Sequence, residues 1–271
     1  MHSDSPLGKD SSYPDLYSPA LLHPIARSES RAALGMSGAP PFHGEDIWNA
    51  WDLTWLTENG CPVAAWAEIR VPADSESLIE SKSLKLYLNS LSMSRFKNHS
   101  AVADIIASDL SSATAGDVSV GVHLNGDATS SGIRKIDGDC IDDARVDCSI
   151  YDVDAALLRC DPDERVTKVL YTDSLRSLCP VTAQPDLGSV IIQYTGPSID
   201  PASLLRYIVS YRNHAAFHES CVERMYLDIQ KSCEPDALSV YARFQRRGGI
   251  DINPFRSSTA DRAENLRLWR Q

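Results

Sequence analysis

Four short clusters in the chain hold side chains whose types and spacing could do chemistry. The first is Leu178-Cys179-Pro180-Val181-Thr182-Ala183-Gln184-Pro185-Asp186. Its prolines stiffen a short loop, so that Asp186 can return near the Cys179 sulfur across a hairpin. A thiol attacks as its thiolate, which nearby positive charge or a base favours. Burial and like-charge repulsion raise the proton affinity of a carboxyl group beside such a sulfur. Asp186 could then hold a proton at neutral pH and act as a general acid. The plainer alternatives are a small buried hydrophobe at Cys179 and a turn residue capping its own backbone at Asp186.

Phe217-His218-Glu219 puts an aromatic ring, a proton carrier and a carboxylate side by side near a helix start. A carboxylate can accept two adjacent N–H donors from a guanine-like edge, and Phe217 could stack on the ring. Core packing for Phe217 and a dipole-matched first-turn carboxylate for Glu219 are the ordinary uses. In Glu80-Ser81-Lys82-Ser83-Leu84-Lys85-Leu86-Tyr87, Glu80 could take a base edge. Ser81 and Lys82 could hold a phosphate at the helix N-terminus. A capping serine and solvated surface charge would explain the same residues. The run from Arg246 through Arg247, Gly248 and Gly249 to Arg256 is the clearest positive cluster. Glycines let backbone approach an anion closely and guanidinium forks bind phosphate, although a solubilising strand end reads the same way.

Two similar sets of elements would position these clusters. The first 45 residues are rich in Ser, Pro and Gly and read as an arm on the surface or across a partner subunit. Trp48, Trp51, Leu53 and Trp55 then lead to the turn signal Glu58-Asn59-Gly60, and residues 63–71 follow as a strand, giving a hairpin. Leu84, Tyr87, Leu88 and Leu91 recur at helical spacing within a helical region over 83–112. Residues 118–124 alternate like a strand that stops at Asn125-Gly126. In the second half, residues 166–170 and 189–194 are strand-like and flank the Cys179 loop. Pro201 is placed to open a helix striped by Leu204, Leu205, Ile208 and Val209. A second helix carries Phe217, Cys221, Val222, Met225, Tyr226 and Ile229 on one face, and residues 238–244 alternate. The expectation is an α+β fold of two copies of one unit, each an antiparallel sheet with helices layered on one face. The stretch from Cys140, Asp142 and Asp143 through Glu164 reads as the linker.

Composition and missing motifs narrow the chemistry. With 271 residues and 43% hydrophobic content the chain can bury a core. A formal net charge of -11 repels a polyphosphate backbone, so nucleic acid is a poor default partner. Seven cysteines, odd in number, irregular in spacing and without a CxxC pair, argue against a disulfide scaffold or a structural zinc site. The start, MHSDSPLGKD, lacks the pattern of a signal peptide, and no apolar run has the roughly 20 residues needed to span a bilayer. The chain reads as cytoplasmic, with no membrane partner. There is no GxGxxG after a strand, no P-loop and no GxSxG elbow. His218-Glu219 begins like HExxH, but Val222 stands at the fifth position, so no catalytic metal is expected by that route. Residue chemistry alone reaches a thiol enzyme that binds a purine-like base and an anionic cofactor.

The Glu80–Tyr87 block resembles the signature that separates QueF nitrile reductases from their relatives, the GTP cyclohydrolase I enzymes. Cys179 through Asp186, Phe217-His218-Glu219 and Arg247-Gly248-Gly249 through Arg256 are similar to that family's further blocks, in the same order. The similarity runs from about Pro41 onward and matches the long, bimodular form; Leu187 stands where an aromatic is expected. The resemblance implies a tandem T-fold, with residues 1–45 as arm, 46–135 as first module and 136–271 as second, in a homodimer. It implies NADPH-dependent reduction of the nitrile of 7-cyano-7-deazaguanine through a thioimide on Cys179, with Asp186 donating protons. By the same resemblance Ile79, Glu80, Ser81, His218 and Glu219 bind the deazapurine, and Ser81, Lys82, Arg247 and Gly248 bind NADPH. No metal and no direct contact with tRNA are implied, although the product would feed queuosine synthesis. The rival readings are a cyclohydrolase-like hydrolase and a non-catalytic purine-binding module.

Overall fold

The computed structural model describes residues 13–124 and 132–271, so the Asn125-Gly126 turn and the first twelve residues lie outside the described residues. The architecture is α+β, and the chain divides into two compact units. The first comprises Met1–Gly38, Asp46–Gly132 and Arg246–Asp251; the second comprises Ala39–Glu45, Ile133–Gln245 and Ile252–Gln271.

In the first unit, strand β1 (Pro24–Ala26) and helix α1 (Arg27–Ala33) occupy the segment expected to be an arm. β1 pairs antiparallel with β4 (Ser77–Ile79), Pro24 opposite Ile79. A three-residue strand that begins with proline gives no period-2 signal, which is why the sequence hides it. Arg27 anchors the segment, its Nη2 lying 2.6 Å from Asp46 Oδ2 with both side chains buried. β2 (His43–Leu56) and β3 (Pro62–Pro72) form the expected hairpin. Gly60 N–H donates to Thr57 O in its turn at φ +84, a backbone region that glycine enters without strain. β5 (Ser119–Leu124) pairs antiparallel with β3. Alternation along β3 buries Ala67, Ile69 and Val71 and leaves Trp66, Glu68 and Arg70 half-buried. The expected helical region resolves into α2 (Ser81–Ser90) and α3 (His99–Thr114), the second capped by Asn98 Oδ1 accepting from Ala101 N–H. Asp251, itself buried, accepts from the side chains of Asn49 and Trp51.

The second unit is built on β7 (Cys160–Leu178) and β8 (Pro185–Ile199), a long antiparallel hairpin. β9 (Ala237–Phe244) pairs antiparallel with β8 and with β10 (Ile250–Ser257), whose first two residues belong to the other unit. Two residues of β6 (Asp139–Cys140) run parallel to β7. α4 (Pro201–Val209) has Pro201 in its first turn and Asp200 as cap, accepting from Ala202 and Ser203 N–H. α5 (His218–Cys233) lies against β8 and β9. Its buried stripe of Cys221, Val222, Met225 and Ile229 and the buried Val190, Ile192, Val240 and Ala242 of the sheet form the core. Among the described residues, no helix is long and apolar enough to cross a membrane.

β10 was not expected. Pro254 argues against a strand, and the arginines around it read as surface charge. Instead Arg256 is fully buried, donating to Glu223 Oε1 from Nε (3.1 Å) and Nη2 (2.9 Å) and to Glu45 O from Nη1 (3.2 Å). Removing one partner of a buried pair leaves the other charge without compensation, whereas replacing both with apolar groups is often neutral. Arg256→Met should therefore cost about 3–5 kcal/mol of stability. Adding Glu223→Leu should restore part of it, read as urea midpoints of the two variants. A double variant no more stable than the single one would show that the pair is not the reason Arg256 is there.

Candidate active site

Cys179 is the first residue after β7, in a loop closed by backbone bonds. Its N–H donates to Gln184 O (2.9 Å), and its own carbonyl accepts from Ala183 N–H (3.0 Å). Ala183 takes a left-handed φ of +55 to complete the turn. The strand register puts Ser177 opposite Asp186 and Leu178 opposite Pro185. The end of β7 is stitched in turn to the segment leading into α5. Leu178 N–H donates to His214 O (2.8 Å), and Ala216 N–H donates to Leu178 O (3.1 Å). These bonds deliver His218, the first residue of α5, to the hairpin end.

His218 Nε2 lies 3.4 Å from Asp186 Oδ2, and Asp186 is only 2% exposed. The other ring nitrogen, Nδ1, faces Ile252 O at 3.3 Å. A carbonyl oxygen only accepts, so Nδ1 is the donor in that contact and Nε2 is the nitrogen turned to Asp186. The imidazole stacks on Phe244 with ring centroids 3.7 Å apart and planes 9° from parallel.

Glu219 is buried in the first turn of α5, where a carboxylate suits the helix dipole. Two positions on, Cys221 is fully buried, and its thiol is pushed up to about 12, mainly by burial. The charges of Asp186 and Glu219 add to the shift. Cys221, Ser177, Phe244 and the Ile252 carbonyl thus belong to this cluster, and the sequence reading did not identify any of them as site residues. Cys221 was read as part of an apolar helix stripe. Phe244 and Ile252 come from strands far along the chain, and no spacing rule connects them to His218.

The remaining expected site residues lie in the first unit. Ile79 ends β4, and Glu80 follows as the cap of α2, fully buried. Its Oε1 accepts from Lys82 N–H (2.7 Å) and its Oε2 from Ser83 N–H (2.9 Å). Glu80 itself, and not Ser81, is therefore the cap. Oε1 also accepts from Ser81 Oγ (3.4 Å), so Oε2 is the oxygen with a second lone-pair direction to spare. The backbone of His23 grips the same turn, accepting from Glu80 N–H (2.9 Å) and donating to Ser83 Oγ (3.0 Å).

Arg247, Gly248 and Gly249 form the tight turn into β10, with Arg247 N–H donating to Ile250 O (2.8 Å). Gly248 and Gly249 have φ of +59 and +81. They help line a cleft of about 210 Å³ with Asp52, Lys85, Asn89 and Ser92. A Cβ on Gly248 would come 3.3 Å from the Lys85 stem, and one on Gly249 would come 2.7 Å from Asp52 Oδ2. The turn therefore brings Gly248 beside α2, one helical turn beyond Ser81-Lys82. The cleft thus presents bare backbone and one cation, Lys85, beside the Asp52 carboxylate. Among the described residues no group of three or more His, Cys, Asp or Glu is placed to hold a metal ion.

Residues 13–122 match a family model described as "Nitrile reductase, 7-cyano-7-deazaguanine-reductase N-term". Residues 185–263 match one described as "QueF-like protein". Three curated relatives are each named NADPH-dependent 7-cyano-7-deazaguanine reductase. One, from Azoarcus sp. (strain BH72), is 52% identical over 269 residues, covering 98% of this chain and 95% of its own. Another, from Paraburkholderia phymatum, is 48% identical over 98% of both chains. The third, from Desulfotalea psychrophila, is 48% identical over 100% of this chain and 99% of its own.

The raised Cys221 thiol has a consequence for stability. Its folded-state value of about 12 exceeds the ordinary 9.0, so the fold holds the protonated form. The contribution is whole below pH 9.0 and is lost as the pH climbs towards about 12, because the unfolded chain ionises first. Urea midpoints measured from neutral to alkaline pH should therefore fall more steeply for the natural protein than for Cys221→Ala. Parallel curves would show that Cys221 ionises in the folded state as easily as in the unfolded chain.

Proposed function

The chain belongs to the QueF family of nitrile reductases, and from that premise we propose that it reduces 7-cyano-7-deazaguanine to the aminomethyl base with NADPH through a thioimide on Cys179. The Cys179 thiolate adds to the nitrile carbon, forming a C–S bond as the nitrile nitrogen takes a proton. NADPH supplies the hydrides, two in all from two molecules, and the C–S bond breaks between them to free the sulfur. A thioimide accepts hydride more readily than a nitrile, so covalent attachment divides one hard reduction into easier steps. Asp186 is the proton donor, and His218 Nε2 restores its proton between steps. The observation that carries this reading is the buried contact between Asp186 and an imidazole whose other nitrogen is committed to a carbonyl, at the base of the Cys179 loop.

The family resemblance assigns substrate binding to Ile79, Glu80, Ser81, His218 and Glu219, and a carboxylate can accept from the N–H groups of a guanine-like edge. Ser81, Lys82, Arg247 and Gly248 hold the cofactor, the last by leaving its phosphate open to bare backbone. Family membership further supports a tandem T-fold, a homodimer and cytoplasmic action on the free base. The net charge of -11 supports a route into queuosine synthesis without contact with tRNA.

The test is the intact mass of the protein mixed with 7-cyano-7-deazaguanine without NADPH. An adduct should form in the natural protein and not in Cys179→Ala, and NADPH should discharge it. Asp186→Asn should lower turnover by about 10²–10⁴-fold, the usual worth of a positioned general acid. Base binding without any adduct would sink the thioimide mechanism and favour a purine-binding module.

A further inference from the structure

The chemistry at Cys179 leaves two other cysteines of the second unit unused. Cys160 opens β7 and Cys233 closes α5. Cys160 is half-buried, with its sulfur 4.0 Å from the carbonyl oxygen of Ser232, the residue before Cys233. Cys233 is 2% exposed. Its thiol is pushed up to about 12 by burial first, and then by Cys160. The Cys160 sulfur therefore lies against the last turn of α5, beside the residue that precedes Cys233, where a strand begins and a helix ends. Those same two elements carry the reaction at their other ends: β7 leads into Cys179, and α5 starts with His218 and Glu219.

We propose that Cys160 and Cys233 are an oxidative modification site, a thiol pair that closes to a disulfide and bolts the start of β7 to the end of α5. The oxidant is a small-molecule disulfide. The more accessible Cys160, as thiolate, attacks one sulfur of the reagent, forming a mixed disulfide and releasing one equivalent of reagent thiolate. Cys233 gives its proton to solvent and attacks the Cys160 sulfur. The protein disulfide forms and the second equivalent of reagent thiolate leaves. Two protein thiols are oxidised and one reagent disulfide is reduced to two thiols. The half-buried member supplies access and the buried member supplies a partner that stays in place, so the first adduct resolves within the chain. Neither residue lies in the Cys179 loop.

The bond would close a long loop and so restrict the unfolded chain. The experiment uses the full, reduced protein incubated with glutathione disulfide, blocked with a maleimide and digested with trypsin without reduction. Cleavage after Arg159, Arg165, Lys231 and Arg243 isolates residues 160–165 and 232–243, each with a single cysteine. The expected result is one species joining these two peptides. It should be accompanied by a rise in melting temperature that dithiothreitol reverses, with both effects absent from Cys160→Ser. Recovering the two peptides apart, whether maleimide-blocked or carrying glutathione, would overturn the proposal. So would a cross-link that persists in Cys160→Ser. Because Cys160 is half-buried, its serine variant is the lead control, and its own melt in the reduced state verifies that it folds.

Discussion

The antiparallel register of β7 and β8 is the constraint on which the candidate site depends. It places Asp186 across from Ser177 and Pro185 across from Leu178, which leaves Cys179 at the mouth of the loop and Asp186 at its base. Side chains alternate along a strand, so a slip of one residue would turn Asp186 to the opposite face and away from His218. The loop bonds at Cys179 and the links from Leu178 to His214 and Ala216 follow from the same register. Asp186, His218 and Cys179 are therefore not placed independently. One hairpin places the first and third, and its edge places the second.

Buried polar groups then complete the positioning. Unlike an apolar contact, a buried charge must find a partner of defined geometry or destabilise the fold. Arg256 with Glu223, Arg27 with Asp46, and Asp251 with Asn49 and Trp51 are such cases. Glu80 is another, since its carboxylate begins α2 by accepting the amide hydrogens of Lys82 and Ser83. A residue assigned to the substrate thus also holds up the helix whose first turn carries Ser81 and Lys82. The proposed substrate contact and local folding would draw on the same two oxygens, so substitutions at Glu80 would not separate them cleanly.

What the sequence disclosed follows from the range of each signal. The hairpins, α4 with Pro201 at its start, and the apolar stripe of α5 are local patterns of period two or 3.6, and they were legible. So was the Cys179–Asp186 loop, because prolines and a short span bring its ends together. β1 and β10 were not, the first because three residues carry no period, the second because Pro254 and the buried Arg256 imitate a surface loop. Phe244 and the Ile252 carbonyl meet His218 only through tertiary folding, and a backbone oxygen leaves no trace in side-chain chemistry. Cys221 was seen as a core residue, correctly for its burial, while its electrostatic link to Asp186 needed coordinates.

The division of the chain carries a different kind of consequence. β2 begins in one compact unit and continues into the other, and residues 246–251 return to the first unit from within the second half. A gene cut between residues 132 and 133 would not yield two intact folding bodies. The leading fragment would lack Asp251, to which Asn49 and Trp51 are tied. The trailing fragment would lack Glu45, whose carbonyl receives Arg256. For protein engineering, complementation by split halves or exchange of one half between homologues would need seams drawn through β2 and β10, not between residues 132 and 133.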